Sequence, residues 1–169
     1  TQPSRRVGRS RAGELESEGG RAVGALVTAR PRHSPDLVDG HTIHWHGFQN
    51  AIPLFDGVPE LSISVPIGRD FTYFYYPHDP GTYMYHCHFE DVEHVQMGMT
   101  GIVFVRPTQG LKRTYNDGNG STNFDRQFPI LLNEIWTEIH DNDHNVQETI
   151  HTDYNPDYFT LNGRVYPQT

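Results

Sequence analysis

The sequence predicts an all-β fold, an antiparallel sandwich or barrel, on two observations. From residue 40 onward, short runs rich in aromatic and β-branched residues alternate with turn residues, as in half-buried strands joined by tight connections. No helical period of useful length appears between them. The 169 residues are enough for one sandwich domain plus a remainder, and too few for two complete domains.

The punctuation between the runs supports this reading. Turn residues such as Asp56-Gly57, Pro66 and Asp79-Pro80-Gly81 separate them, and each suits a tight connection. The predicted strands span residues 42–48, 61–65, 71–76, 81–86, 100–105 and 129–136.

Composition divides the chain into four segments. Residues 1–40 hold none of its 20 aromatic residues and are interpreted as a disordered or atypical N-terminal segment. A short first strand between Ala22 and Ala29 is the alternative. Residues 41–110 form the predicted core domain, and residues 111–127 a linker that is flexible by composition over 117–122. Residues 128–169 are interpreted as a strand followed by the start of a second, incomplete β-domain.

Charge excludes some partners. Seven arginines fall within the first 32 residues, whereas residues 34–169 carry 18 acidic and 6 basic side chains, a formal charge of −12. A body this acidic disfavours nucleic acid. No run of about 18 apolar residues is present, so no membrane span is predicted, and no secretory signal is visible at the start.

Histidine and cysteine form two clusters that point to metal chemistry. The chain has 11 histidines and a single cysteine, so an internal disulfide is excluded and a metal ligand, a nucleophile or a buried thiol is left. The first cluster is His41-Thr-Ile-His44-Trp-His46-Gly, and the second is His86-Cys87-His88 followed by His94 and Met99.

Strand alternation sorts these side chains into two sets. Residues two apart share a face and neighbours oppose, so four histidines can pair on one side while His41 and Cys87 fall on the other. Two histidines, a thiolate and a weak axial methionine make a blue-copper site. Four histidines without a thiolate suit copper ions that reduce O₂. The first set is His41, Cys87, His94 and Met99, and the second is His44, His46, His86 and His88.

Two other chemistries would use some of the same residues. Zinc also takes cysteine and histidine, but a structural zinc site needs neither four further histidines nor a downstream methionine. A Cys–His nucleophile pair leaves most of the histidines unexplained. The pattern therefore favours copper.

These motifs resemble those of the multicopper oxidases, the laccase-like enzymes. The family signatures His-x-x-His-x-His-Gly and His-Cys-His-spacer-His-Met both occur, in order, between residues 40 and 110. The resemblance is closest to two-domain bacterial forms with blue copper in the first domain. It implies a cupredoxin-like Greek-key sandwich followed by the start of a second cupredoxin domain.

The resemblance also implies roles for the clustered residues. The set containing Cys87 matches the type 1 copper ligands, and the four-histidine set matches half of a type 2/type 3 trinuclear cluster. The other half would come from a second domain, often across subunits of a homotrimer. The spacer between Cys87 and His94 is two residues longer than usual, so Met97 competes with Met99 as axial ligand. His140, His144 and His151 are interpreted as solvated surface residues.

Neighbouring carboxylates have candidate roles as well. Asp56 lies where similar oxidases place an acidic residue, and we expect it to be a proton relay. The alternative, to which we give equal weight, is that it is simply the first residue of an Asp-Gly turn. Glu90, Asp91 and Glu93 precede His94. Their charge would favour cationic or electron-rich donors if the loop lies over the copper edge, and a solvated loop is the plainer interpretation.

The predicted function is a copper-dependent oxidase. It would take single electrons from a phenol, an aromatic amine or a metal ion and reduce O₂ to water, with the present chain an incomplete fragment of the enzyme. A periplasmic or secreted location follows from the resemblance alone. Two alternatives stay open, a copper nitrite reductase, which lacks the histidine that His88 supplies here, and a non-enzymatic cupredoxin electron carrier.

Overall fold

A computed structural model describes residues 15–16, 23–28, 40–48, 52–75, 77–145 and 147–169. Strands dominate the described part. They are β1 (Leu15–Glu16), β2 (Val23–Thr28), β3 (His44–Trp45), β4 (Asp70–Tyr75), β5 (Gly81–His86), β6 (Thr100–Arg106), β7 (Leu132–Ile135) and β8 (Tyr158–Leu161). Two short α-helices, α1 (Asp91–Gln96) and α2 (Thr137–His144), and two 3₁₀ turns, Pro53–Phe55 and His151–Asp153, complete the list.

The larger sheet has four strands in the order β1-β6-β5-β3. Its centre is the antiparallel pair of β5 and β6, in register from Gly81 opposite Val105 to His86 opposite Thr100. On the other edge of β5, His44 lies opposite His86 and Trp45 opposite Tyr85. The two-residue β1 pairs with β6 in parallel. The sheet therefore brings the two histidine motifs, about 40 residues apart in sequence, onto adjacent strands.

A second sheet pairs β2 with β4 in antiparallel register from Val23 opposite Tyr75 to Thr28 opposite Asp70. The sequence left open a strand between Ala22 and Ala29, and the structure has β2 there rather than an irregular segment. The remaining residues of the first 39, apart from 15–16, lie outside the described part of the chain.

The hydrophobic core joins side chains of both sheets. Trp45 of β3 and Val103 of β6 come from one sheet, and Tyr73 and Tyr75 of β4 from the other. Tyr73 is fully buried and Tyr75 nearly so. Each tyrosine hydroxyl donates to a backbone carbonyl, Tyr75 to Ile43 O at 2.9 Å and Tyr73 to Ile63 O at 3.0 Å. The two tyrosine rings thus contribute buried apolar area while their hydroxyl groups keep hydrogen-bond partners. The all-β class predicted from sequence is confirmed.

Helices are the main departure from the predicted elements. The segment predicted as a bulging loop before His94 contains α1, entered through Glu90 in the left-handed region at φ 47°. Of the predicted strand over 61–65, only Val65 pairs, in an isolated bridge with His41. Within the described residues, no helix is both long enough and apolar enough to cross a membrane.

Residues 117–122, predicted to be a flexible linker from their composition, are hydrogen-bonded around Asp117 in the structure. The Asp117 carboxylate accepts hydrogen bonds from the backbone N–H of Gly120 at 3.0 Å and of Thr122 at 2.7 Å, and from the Ser121 hydroxyl at 2.9 Å. It also pairs with Arg113 at 3.1 Å. Desolvation raises the pKa of the Asp117 carboxyl, but these hydrogen bonds outweigh it and hold the pKa well below its usual range. Glycine and asparagine here form a hydrogen-bonded turn instead of a loose tether.

Candidate metal centre

The end of β5 organises the candidate site. β5 terminates at His86, and Cys87 and His88 follow directly as the chain leaves the sheet. The Cys87 N–H donates to Met99 O at 3.0 Å, and the His88 N–H donates to Thr42 Oγ1 at 3.0 Å. The Cys87-His88 segment is thus held by the backbone carbonyl of Met99 and by the side chain of Thr42, which lies in the first histidine motif.

Three side chains form a thiol-centred group. The ring atoms Nδ1 of His94 and Nδ1 of His41 lie 3.4 Å and 4.0 Å from Cys87 Sγ. The two imidazole rings are 4.8 Å apart, centroid to centroid. Cys87 and His94 are 2% and 3% exposed. Their potential ligand atoms fit one metal ion of the size that binds nitrogen and sulfur at about 2.0–2.3 Å.

Electrostatics favour the thiolate form of Cys87. Burial raises the pKa of its thiol, but hydrogen bonds from His41 and His94 and from the backbone outweigh burial, and the pKa falls to about 6. Burial lowers the pKa of His94, whereas its hydrogen bond to Cys87 and the thiolate charge raise it above the usual value. Because the thiolate is the form that binds metals, Cys87 itself is available to a cation at neutral pH.

The two ring nitrogens of His94 have different surroundings. Its Nδ1 lies 2.6 Å from Phe89 O, besides facing Cys87. Its buried Nε2 has no hydrogen-bond partner among the described residues. Buried polar atoms without partners are uncommon in proteins. Independently of that nitrogen, the thiolate and two imidazoles of the group are the donor set of blue-copper centres.

The two methionine candidates differ in position. Met97 is 57% exposed at the end of α1. Met99 is half-buried, and its backbone N–H donates to His94 O at 2.9 Å while its carbonyl accepts from Cys87 N–H. The backbone of Met99 thus forms hydrogen bonds with the backbones of both Cys87 and His94.

The second group consists of histidines alone. His46 Nε2 lies 2.8 Å from His86 Nε2. The potential ligand atoms of His44, His46 and His86 are all within 4.8 Å of one another. The His88 ring lies 5.2 Å from that of His44 and 5.4 Å from that of His86. All four histidines predicted to share a side are therefore neighbours in the structure.

Two of these imidazoles, those of His46 and His86, favour their neutral, ligating form. Burial lowers the pKa of His46, and its neighbours His86, His44 and His88 lower it further. Burial likewise lowers the pKa of His86, against a hydrogen bond of its Nδ1 to Cys87 O that raises it. Neutral imidazole is the form that binds a metal. With metal–nitrogen bonds of about 2.0 Å, two ligands of one ion lie roughly 3 Å apart, close to the distance between His46 and His86.

Asp56 meets the histidine cluster through two of its groups. Its backbone carbonyl lies 2.7 Å from His44 Nδ1, and its carboxylate Oδ2 lies 3.6 Å from the same nitrogen. A hydrogen bond at one ring nitrogen fixes the tautomer and orientation of a ligating histidine and leaves the other ring nitrogen for the metal. The carboxylate is half-buried and stands next to the cluster, as a proton relay would require.

The acidic residues before His94 also approach the thiol-centred group. Potential ligand atoms of Glu90, Glu93 and His94 lie within 4.8 Å of one another. Glu90 is exposed and Glu93 half-buried. Their charge lies at the surface side of the buried thiol-centred group.

Sequence reasoning missed a polar contact beneath α1. The buried Gln96 side chain accepts from Trp136 N–H at 2.8 Å and from His140 Nε2 at 3.1 Å. The interpretation of His140 as a solvated surface residue is therefore wrong, whereas His151 is exposed as expected. The one available signal was the concentration of histidines after the predicted strand over 129–136. It did not indicate a partner 44 residues earlier.

Comparison with known proteins gives a consistent picture. The family model described as multicopper oxidase matches residues 35–110. Laccase-2 of Cryptococcus neoformans var. grubii is 45% identical over 58 residues, which are 32% of this chain and 10% of that protein. The blue copper oxidase of Nitrosomonas europaea superposes with a TM-score of 0.69 and 27% identity over 92% of this chain and 44% of that one.

A second solved structure agrees. The multicopper oxidase mgLAC has a TM-score of 0.67 and 26% identity over 92% of this chain and 45% of its own. The present chain thus spans less than half the length of each of these two solved structures.

Proposed function

Residues 35–110 belong to the multicopper oxidase family, whose members are copper-dependent oxidoreductases, and on that premise we propose that this chain provides the type 1 copper site and half of the trinuclear cluster of a laccase-like oxidase. The observation that carries the proposal is that eight candidate ligands near the end of β5 fall into two sets with different donor atoms. His41, Cys87, His94 and Met99 would hold type 1 copper. His44, His46, His86 and His88 would hold part of the type 2/type 3 cluster.

The donor sets differ in the way that the two tasks require. Bound copper would supply one-electron redox chemistry at the thiolate group and reduction of O₂ to water at the histidine cluster. The thiolate of Cys87, with a pKa of about 6, binds without a large proton penalty at neutral pH. Covalent bonds join Cys87 to His86 and His88, which makes a short connection between the two groups of ligands.

Proton delivery would fall to Asp56. Reduction of one O₂ to two waters consumes four electrons and four protons, and the Asp56 carboxylate lies 3.6 Å from His44 Nδ1. In the complete enzyme, Asp56→Asn is expected to lower turnover by about 10²-fold or more while copper content stays intact. Unchanged turnover with intact copper would remove the relay role.

The remaining partners follow from the same premise. The electron donor would be a phenol, an aromatic amine or a metal ion. The other cluster histidines would come from a second domain, in a homotrimer. A secreted or periplasmic location would match that of many members of the family.

Copper loading tests the proposal directly. The 169-residue chain is loaded with copper, and copper stoichiometry, visible absorption and EPR spectra are recorded beside the Cys87→Ser variant. An intense thiolate-to-copper band that the variant lacks would support the type 1 assignment. More than one copper per chain would support the histidine cluster, and one copper alone would favour an electron carrier. A colourless or zinc-preferring wild type would overturn the assignment.

A further inference from the structure

We propose that Gln96, a buried residue at the end of α1, is a positioning residue for the type 1 site. The inference rests on the function proposed above, since it concerns the same copper ligands. Among the described residues, the side-chain hydrogen bonds of Gln96 involve none of these ligands. Instead, it ties the helix that carries His94 to a segment beyond the matched residues 35–110.

The tie consists of polar contacts to one segment, one of them buried and two partly buried. Gln96 is 8% exposed, and its Oε1 accepts both the Trp136 N–H at 2.8 Å and His140 Nε2 at 3.1 Å. One residue earlier, Val95 O accepts from Asn133 Nδ2 at 3.2 Å. Trp136 is 3% exposed. Hydrogen bonds in such a water-excluded position are costly to break, because each separated group would stay buried without a partner.

The helix depends on such anchors. α1 has six residues, and an isolated helix of that length is unstable in water. Its N-cap residue, Glu90, makes no capping hydrogen bond through its side chain. The position of α1 is therefore determined by what it packs and bonds against, and Gln96 is its last residue.

Gln96 also lies between two candidate ligands in sequence. It follows His94 by two residues and precedes Met99 by three, and the Met99 N–H donates to His94 O at 2.9 Å. The Nε2 of His94 has no partner among the described residues, so the ring is oriented through Nδ1 and through the placement of its helix. A shift of α1 would move His94 and Met99 together relative to Cys87. Outer groups that orient ligands in this way typically change metal affinity 10- to 100-fold.

The test compares Gln96→Leu, His140→Leu and the matched control Gln168→Leu, which changes an exposed glutamine near the C-terminus. The full 169-residue chain is used, with and without copper. Three quantities are measured, namely the position of the thiolate-to-copper band, the EPR copper hyperfine splitting and the rate of copper release to a chelator. Hydrogen–deuterium exchange of residues 90–99 is followed in the copper-free chain.

For Gln96→Leu we expect a shifted band, an altered hyperfine splitting, copper release about tenfold faster or more, and faster exchange across α1. His140→Leu removes one of the two bonds and should move each readout in the same direction by less. If Gln96→Leu does not fold, His140→Leu alone tests the role of Gln96. Gln168→Leu should behave as wild type.

The outcomes separate this inference from the proposed function. A wild-type chain without a blue band overturns the type 1 assignment itself. A blue wild type whose band, hyperfine splitting and copper release are unchanged in Gln96→Leu, or in His140→Leu where the first variant is unfolded, overturns the role of Gln96 alone.

Discussion

His44 and His86 lie directly opposite each other in the antiparallel pairing of β3 and β5, with ring centroids 5.6 Å apart. Residues in such a cross-strand pair point to the same side of the sheet. One pair thus fixes the relative position of both motifs, since His46 follows His44 by two residues and Cys87 directly follows His86. The thiolate group and the histidine cluster share this strand pair while drawing on opposite faces.

The shared pair predicts that the two groups of ligands can be separated by mutation. In His44→Ala, the histidine cluster loses a ligand and its copper affinity should fall by more than about tenfold. The blue thiolate band should survive, because Cys87, His41 and His94 are unchanged. Copper stoichiometry and visible spectra of the loaded chain measure both. His78→Ala is the matched control, since the His78 side chain is 79% exposed. Loss of the blue band in His44→Ala alone would contradict the separation.

The pKa of Cys87 predicts a titration in the copper-free chain. The thiol has its pKa lowered to about 6, so the thiolate should persist as pH falls from 9 until about pH 6, where it becomes protonated. Absorbance near 240 nm reports thiolate, and Cys87→Ser provides the blank. In His94→Leu, which removes a hydrogen-bonding imidazole, the midpoint should rise by about 1–2 pH units. A wild-type midpoint near pH 8.5, the value of a free thiol, would contradict the described hydrogen bonds.

Much of the site could be predicted from sequence because it depends on the spacing of residues that are close together in the chain. Alternation along β3 and β5 decides which side chains share a face, and the spacings of His44-Trp-His46 and His86-Cys87-His88 show that alternation directly. β5 itself was predicted over the residues it occupies. The class of fold follows from the same short, aromatic-rich runs.

The parts that sequence reasoning missed depend on distant partners. α1 has no periodic apolar stripe, and its placement comes from Gln96, whose partners lie 40 and 44 residues further along the chain. Likewise, the residues around Asp117 have the composition of a flexible linker, yet one carboxylate organises them. Single-residue hydrogen bonds of this kind leave no repeating pattern in a sequence.

The turn around Asp117 predicts resistance to proteolysis. Lys112 and Arg113 are trypsin sites, and Arg113 pairs with Asp117 at 3.1 Å. Asp117→Ala removes the acceptor that orders the turn, so cleavage after these basic residues should become about tenfold faster or more, because cleavage requires local opening. Timed digestion followed by mass spectrometry measures it. Asp125→Ala, at an exposed aspartate nearby, should leave the rate unchanged, and equal acceleration in both variants would contradict the role of Asp117.

Gly57 predicts a strong and position-specific effect on stability. It is buried at φ +85°, and a Cβ there would overlap the carbonyl of Ile43 and lie 2.7 Å from His44 N. Gly68 has a similar φ of +77°, but nothing lies within 4 Å of its Cβ position. Gly68→Ala should therefore cost only the left-handed conformation, about 1–2 kcal/mol. Gly57→Ala adds overpacking of roughly 1–3 kcal/mol against backbone.

Urea denaturation followed by the fluorescence of Trp45 and Trp136 measures both free energies of unfolding. Because Gly57 packs against the backbone at the start of β3, the strain should also displace His44 and reduce copper binding by the histidine cluster. In Gly68→Ala, copper binding should be retained in full. Equal losses of stability in the two variants would mean that contact of an alanine Cβ at position 57 with the Ile43 backbone does not add to the cost of the left-handed conformation.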